Sequence, residues 1–196
     1  MIPLDLDAAA AALAAGKVVA VPTDTVYGLA VDPRLAGAVE RVFSLKQRPD
    51  RFALPVLIAE PGEMAELAEL TPGAERLASR YWPGALTLVL RRRPEVSFEL
   101  GGDPLTIGLR CPSHGLVRDL LRRTGPLAVT SANRHGEAPL HSAAEVTAHF
   151  GTGVVAVLDG GRCEGRPSTV VSLTGGEPQC LREGDLAFSE LLAAAG

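Results

Sequence analysis

The chain has 196 residues, 46% hydrophobic and 21% charged, enough apolar content for the core of one domain, and no run approaches the roughly 18 apolar residues of a membrane span. A net charge of −4 with only 4% aromatic residues argues against a broad basic surface with stacking platforms for nucleic acid. Three cysteines (Cys111, Cys163, Cys180) without Cys-x-x-Cys spacing argue against a disulfide framework or structural zinc, and an acidic start (Asp5, Asp7) argues against a secretory signal, so a cytoplasmic location is expected.

In chain order, Asp5 to Ala15 is alanine-rich and reads as a helix stopped at Gly16, followed by a β-branched strand, Lys17 to Val21, ended by Pro22. Ala36 to Leu45 has apolar residues at helical spacing, with Pro49 barring continuation. Leu54 to Ala59 reads as a strand, and Pro61 to Leu70 and Pro72 to Tyr81 as helices with proline in the first turn, the second capped by Thr71. Ala85 to Leu90 and Leu105 to Leu109 read as strands, Ser113 to Arg123 as a helix ending at Gly125, and Pro126 to Thr130 as a strand. Ser142 to Glu145 is a capping box opening a helix. Val154 to Leu158, Thr169 to Leu173 and Gln179 to Arg182 complete the strands before a helix from about Asp185. No repeat, linker or charge run divides the chain, so residues 1–196 read as a single domain. Consecutive strands among strand–helix alternations favour an open mixed α/β sheet flanked by helices over a strict βαβ array.

The Walker A, G-x-G-x-x-G, G-x-S-x-G and H-E-x-x-H patterns are all missing, and the four histidines (His114, His135, His141, His149) lack close metal-ligand spacing, so no intrinsic metal site is expected. Cys111 beside Pro112 reads as core rather than nucleophile. What remains is four polar clusters at strand or helix ends, where open sheets place ligand sites. Pro22-Thr23-Asp24-Thr25-Val26-Tyr27-Gly28-Leu29 is either a site or a self-capping turn. Lys46-Gln47-Arg48-Pro49 places two cations at a helix end, complementing its dipole or holding phosphate oxygens. Ser131-Ala132-Asn133 can bond a ligand or its own backbone, and Ser168-Thr169 with Leu181-Arg182-Glu183-Gly184 reads more readily as structure than as site.

Together and in order, these segments resemble the YrdC/TsaC family, the threonylcarbamoyl-AMP synthases of tRNA modification. The resemblance also includes Tyr81-Trp82-Pro83-Gly84-Ala85-Leu86-Thr87-Leu88 and Ile107-Gly108-Leu109-Arg110-Cys111-Pro112, and its seven pieces extend from residue 17 to 184. It implies a twisted open mixed sheet with a concave, positively charged cavity. The implied reaction joins L-threonine, bicarbonate or CO2 and ATP into threonylcarbamoyl-AMP and pyrophosphate, supplying the t6A modification of tRNA position 37. Mg2+ would be carried by ATP. The partners implied are downstream threonylcarbamoyl-transferase proteins, with weak tRNA binding.

Carried over residue by residue, the catalytic set is Lys46, Arg48, Ser131 and Asn133. ATP is expected on Lys46, Arg48, Thr106, Asn133, His141 and Arg182, and threonine on Thr23, Arg110, Ser131 and Ser168. His141 departs from the pattern, standing where the family usually has a small hydroxyl residue, and Ala53-Leu54-Pro55 shifts a proline after the Lys-x-Arg-Pro turn. A non-catalytic YrdC-like protein that binds RNA or nucleotide is the alternative. The arginines outside these motifs, Arg91 to Arg93 and Arg122-Arg123, are expected on the solvated surface.

Overall fold

A computed structural model describes residues 5–47, 52–134, 136–151 and 156–195. The first helix, α1 (Leu6–Ala14), begins where the Asp5 carboxylate accepts the Ala8 N–H at 2.8 Å. Then follow β1 (Val19–Val21), β2 (Gly28–Val31), α2 (Ala38–Lys46), β3 (Val56–Leu57), a 3-10 turn (Pro61–Glu63) and α3 (Met64–Leu67). The middle of the chain forms α4 (Pro72–Tyr81), β4 (Leu86–Arg91), β5 (Thr106–Arg110), α5 (Gly115–Thr124) and β6 (Leu127–Ser131). It closes with α6 (Ala143–Phe150), β7 (Ala156–Val157), β8 (Thr169–Ser172), β9 (Gln179–Arg182) and α7 (Phe188–Ala195).

Among the described residues these strands form one open sheet in the order β7-β1-β2-β6-β3-β5-β4-β8-β9. The β7–β1, β3–β5 and β4–β8 pairs are parallel and the others antiparallel, so the sheet is mixed, as the spacing of elements predicts.

Strand alternation divides the apolar side chains between two cores. Val18, Ala20, Leu29 and Val31 join one core with Leu86, Leu88, Leu90, Ile107 and Leu109, covered by α2, α3, α4, α6 and α7. Val19, Val21, Ala30, Leu57, Leu127 and Val129 face the other side, covered by α1 and α5 through Leu13, Val117, Leu120 and Leu121. On this second side the helices cover the β1–β2–β6–β3 half of the sheet. The β5–β4–β8–β9 half carries Thr106, Gly108, Arg110, Thr87, Val89, Ser168 and Arg182 there instead of an apolar stripe. No described helix contributes to that half's exposed floor, and a cavity remains.

Two sequence expectations are revised. The helix expected over residues 61–70 stops at Leu67, because Ala68 bridges Arg92 and the Glu69 N–H is taken by the Arg91 carbonyl at 2.9 Å. Sheet hydrogen bonding there overrides helix propensity. The strand β2, absent from the expected elements, continues without a break from the Thr23–Tyr27 cluster and pairs with both β1 and β6. The capping box at α6 is half formed: Ser142 Oγ accepts the Glu145 N–H, but the Glu145 carboxylate takes the N–H of His141 instead of Ser142. Of the strand expected over 154–158, residues 154 and 155 lie outside the described residues.

Most of the arginines in the runs Arg91 to Arg93 and Arg122-Arg123 are paired. Arg122 pairs with Glu60 and Asp119, Arg123 with Asp7, and Arg93 with Glu95, while Arg92 donates to the Phe98 carbonyl. Among the described residues no helix is long and apolar enough to cross a membrane. Thr71 Oγ1 accepts the Ala74 N–H at the start of α4, so Thr71→Ala should lower unfolding stability by about 1 kcal/mol in urea titrations, whereas Thr71→Ser should stay near wild type.

Candidate functional site

The cavity over the uncovered half of the sheet measures about 480 Å3, within the roughly 300–1,000 Å3 range of small-molecule sites. Its floor comes from cavity-facing positions of β3, β4, β5 and β8, and its walls from the Thr23–Gly28 segment, the end of β6 and the end of β9. Val89 lies opposite Gly108 across the β4–β5 ladder, so the floor stays low at its centre.

On one wall Thr23 builds the turn. Its hydroxyl donates to the Val26 carbonyl at 2.6 Å and accepts the N–H groups of Thr25 and Val26 at 3.2 Å. With that hydrogen spent, Thr25 donates to Thr23 Oγ1 at 2.9 Å and keeps its own oxygen as an acceptor. The self-capping turn and the site are therefore one structure. Arg110 uses the acceptors so placed: its Nε donates to the Gly84 carbonyl at 3.0 Å, Nη1 to Thr25 Oγ1 at 3.1 Å and Nη2 to Asp24 Oδ1 at 2.8 Å. These three bonds hold the guanidinium rigidly from behind and leave two of its five N–H groups available. Arg110 is buried and Asp24 largely so, with side chains 8% and 15% exposed. Burial pushes the Arg110 pKa down, and the neighbouring Asp24 carboxylate opposes that shift.

Beside this wall, behind the end of β6, Lys46 ends α2 and is buried. Its ammonium donates to the Ser131 carbonyl at 2.6 Å, the Asn133 carbonyl at 2.6 Å and Asn133 Oδ1 at 2.9 Å. Ser131 Oγ donates to the same Oδ1 at 2.6 Å, and Asn133 Nδ2 donates to the Glu137 carbonyl at 2.6 Å. Asn133 thus receives on its oxygen and gives from its nitrogen, so its orientation is fixed.

The far rim is made by Ser168 and Arg182, with Thr87 of the floor beside Ser168. Arg182 donates through Nε and Nη2 to the Ser168 carbonyl at 3.2 and 2.8 Å, and through Nη2 to Ser168 Oγ at 3.1 Å. Gly184 permits this closure of β9 on the strand before it: a Cβ there would stand 2.0 Å from the Pro167 carbonyl oxygen. Partial loss of hydration, then the like charge of Arg110, holds the Arg182 pKa below the usual guanidinium value. An anion between the two guanidinium groups would relieve that repulsion.

Of the residues singled out from sequence, Thr23, Thr106, Arg110, Ser131, Ser168 and Arg182 line this one cavity. Lys46 and Asn133 stand behind its Ser131 wall, joined to it by hydrogen bonds. His141 is not part of the lining; its Nδ1 lies 2.8 Å from the Cys163 carbonyl oxygen. Arg48 lies outside the described residues. Sequence reasoning gave no role to Thr25 and Thr87, or to Gly108 on the floor. The available signal was a polar or glycine residue at alternate positions of otherwise apolar strands, as in Leu86-Thr87-Leu88 and Ile107-Gly108-Leu109.

Two buried groups are structural. The Cys111 thiol donates to the Ala59 carbonyl, and burial pushes its pKa up to about 11, so it is not a thiolate nucleophile. The Tyr27 hydroxyl, fully buried, donates to the Gly161 carbonyl at 2.9 Å and accepts the Gly160 N–H at 3.2 Å. Burial raises its pKa from 10.0 to about 12. The unfolded chain then loses this proton before the folded one, so stability present below pH 10 should be lost on the way to pH 12, by on the order of 3 kcal/mol. Tyr27→Phe should flatten that part of the stability–pH curve measured by denaturant titration.

A family model described as telomere recombination, covering Sua5, YciO and YrdC, matches residues 11–184. A threonylcarbamoyl-AMP synthase of Bacillus subtilis is 38% identical over 96% of this chain and 56% of its own length. The synthase of Chromohalobacter salexigens is 39% identical over 86% of this chain and 92% of its own. Among solved structures, Sua5 of Pyrococcus abyssi complexed with L-threonine superposes with a TM-score of 0.91 at 37% identity, covering 97% of this chain and 57% of that one. The chain thus spans little more than half of the longer relatives and most of the shorter one.

Proposed function

We propose that this chain, which belongs to the Sua5/YciO/YrdC family, is an L-threonylcarbamoyladenylate synthase, a nucleotidyltransferase that makes threonylcarbamoyl-AMP and pyrophosphate from L-threonine, bicarbonate or CO2 and ATP. The observation that carries the reading is the cavity itself. Arg110, locked by Asp24, Thr25 and Gly84, and Arg182, locked on Ser168, present two cations to one space floored by hydroxyls. That space suits an amino-acid carboxylate and a phosphate chain together.

The chemistry asks for positioning more than for a covalent side chain. The threonine amine forms an N–C bond to CO2, one C=O electron pair moves to oxygen and a proton is released, giving the carbamate. A carbamate oxygen then attacks the α-phosphorus and pyrophosphate departs. Arg110 holds the threonine carboxylate with its two remaining N–H groups, and Thr23 supports it through the turn that carries Thr25. Ser131 and Ser168 face the amine and carbamate, while Lys46, Asn133, Arg48, Thr106 and Arg182 hold the triphosphate. For Lys46 this requires exchanging at least one bond to Ser131 or Asn133 for a phosphate oxygen. Mg2+ enters with ATP as part of the substrate and screens its charge; among the described residues no group of three or more His, Cys, Asp or Glu side chains is assembled to hold a metal. His141 is turned to the Cys163 carbonyl and away from the cavity lining, so the reading gives it no contact with ATP. The product would feed t6A formation at tRNA position 37 in the cytoplasm through a downstream transferase, with only weak tRNA contact by this chain.

The test is incubation with labelled threonine, bicarbonate and MgATP, followed by mass spectrometry for threonylcarbamoyl-AMP, with threonine omitted as control. Threonine-dependent product supports the reading. RNA binding that weakens with salt, without any turnover, would replace it with the binding-protein alternative.

A further inference from the structure

We infer that Thr87 is a positioning residue that holds the Ser168 hydroxyl in one defined orientation for each of two tasks, taking its hydrogen while Ser168 accepts from the threonine amine and filling its spare lone pair while Ser168 donates to the carbamate made from it; this rests on the synthase reading. Thr87 Oγ1 lies 2.9 Å from Ser168 Oγ, and Ser168 Oγ also accepts from Arg182 Nη2 at 3.1 Å. Both residues line the cavity yet are only 2% and 5% exposed. Bulk water therefore does little to satisfy their hydroxyls.

Each hydroxyl has one hydrogen and two lone pairs, so the pair has two states. When Thr87 donates to Ser168, Arg182 and Thr87 fill both Ser168 lone pairs, and Ser168 has only its hydrogen to offer a ligand. When Ser168 donates to Thr87, one Ser168 lone pair opens, and Ser168 accepts from a ligand. The two states interconvert by rotation of two O–H bonds with no movement of backbone or of Arg182.

The substrate demands this exchange. An amine nitrogen presents N–H groups, whereas the carbamate presents oxygens at the same end of the molecule. A hydroxyl fixed as donor or as acceptor by its surroundings would suit one and oppose the other. The fold gives Thr87 no other evident task. β4 buries Leu86, Leu88 and Leu90 in the core, and its other cavity-facing side chain is Val89, so packing at position 87 needs only a β-branched side chain.

The experiment compares Thr87→Val, which keeps shape, with Thr87→Ser, which keeps the hydroxyl, in steady-state threonine-dependent pyrophosphate release by the full chain. Thr87→Val should lower kcat about 10- to 100-fold with the KM for threonine within about threefold, and Thr87→Ser should stay within about threefold of wild type in both. Melting curves check folding, and Thr87→Ala, deleting the hydroxyl without the added methyl of valine, replaces Thr87→Val if that variant melts early. An unimpaired Thr87→Val, a change in KM alone, or a Thr87→Ser as impaired as Thr87→Val overturns the assignment, the last by showing that keeping the hydroxyl does not keep the function. Wild-type protein that releases no pyrophosphate with threonine overturns the synthase reading and this assignment together.

Discussion

Threonine-dependent pyrophosphate release should fall by at least about 100-fold in Lys46→Ala, the scale seen when one preorganised donor is removed from a reacting centre. The side chain is buried, and its ammonium gathers the Ser131 carbonyl and both oxygens of Asn133 within 2.6–2.9 Å. Its loss removes a cation from behind the Ser131 wall, where the synthase reading places the triphosphate, and frees the loop that aims Ser131. It also leaves buried acceptors short of a donor, at roughly 1–3 kcal/mol for a group left unsatisfied. The melting temperature should therefore drop along with activity, a cost that reading Lys46 from sequence as a helix-end cation did not foresee. A coupled pyrophosphate assay and a thermal melt on the same preparation check both. Near-wild-type release would remove Lys46 from the nucleotide site whatever the melt shows.

Arg110→Ala should raise the threonine dissociation constant by about 100-fold, measured by calorimetry, and lower stability by roughly 2–4 kcal/mol, because the largely buried Asp24 carboxylate loses its partner. The two effects can be separated. Arg110→Ala combined with Asp24→Asn removes the stranded charge and should recover much of the stability while leaving threonine binding lost. Arg110→Lys keeps a cation but cannot reach Gly84, Thr25 and Asp24 as a planar fork, and should bind threonine poorly as well. Threonine affinity unchanged in all three variants would show that the carboxylate binds elsewhere.

The elements with local signals were legible. α4 starts at Pro72 behind its Thr71 cap and ends at Tyr81, α5 stops before Gly125, and β9 spans Gln179–Arg182, all as the sequence predicts. The exceptions are places where distant chain decides. Helix propensity in residues 61–70 loses to hydrogen bonds from β4, and β2 lies hidden behind a polar cluster that drew attention to itself. For the site, motif order named Thr23, Lys46, Thr106, Arg110, Ser131, Asn133, Ser168 and Arg182. It could not tell cavity-lining residues from Lys46 and Asn133 behind the wall, since both kinds are polar residues at the ends of elements.

The amino-acid sequence by itself determined the class of fold, the family and most of the polar residues that line or back the cavity, because helix caps, strand alternation and motif order are local or linear properties of the chain. The bunched arginines of an acidic protein already hinted at two populations. Only the tertiary structure showed why they differ. Arg122 and Arg123 meet acidic partners on the surface, while Arg110 and Arg182, 72 residues apart, are brought to one cavity because α1 and α5 cover only half of one sheet face. Strand order across a nine-stranded sheet depends on pairings between residues far apart in the chain, and it is those pairings that set Thr87 beside Ser168 and Asp24 beside Arg110.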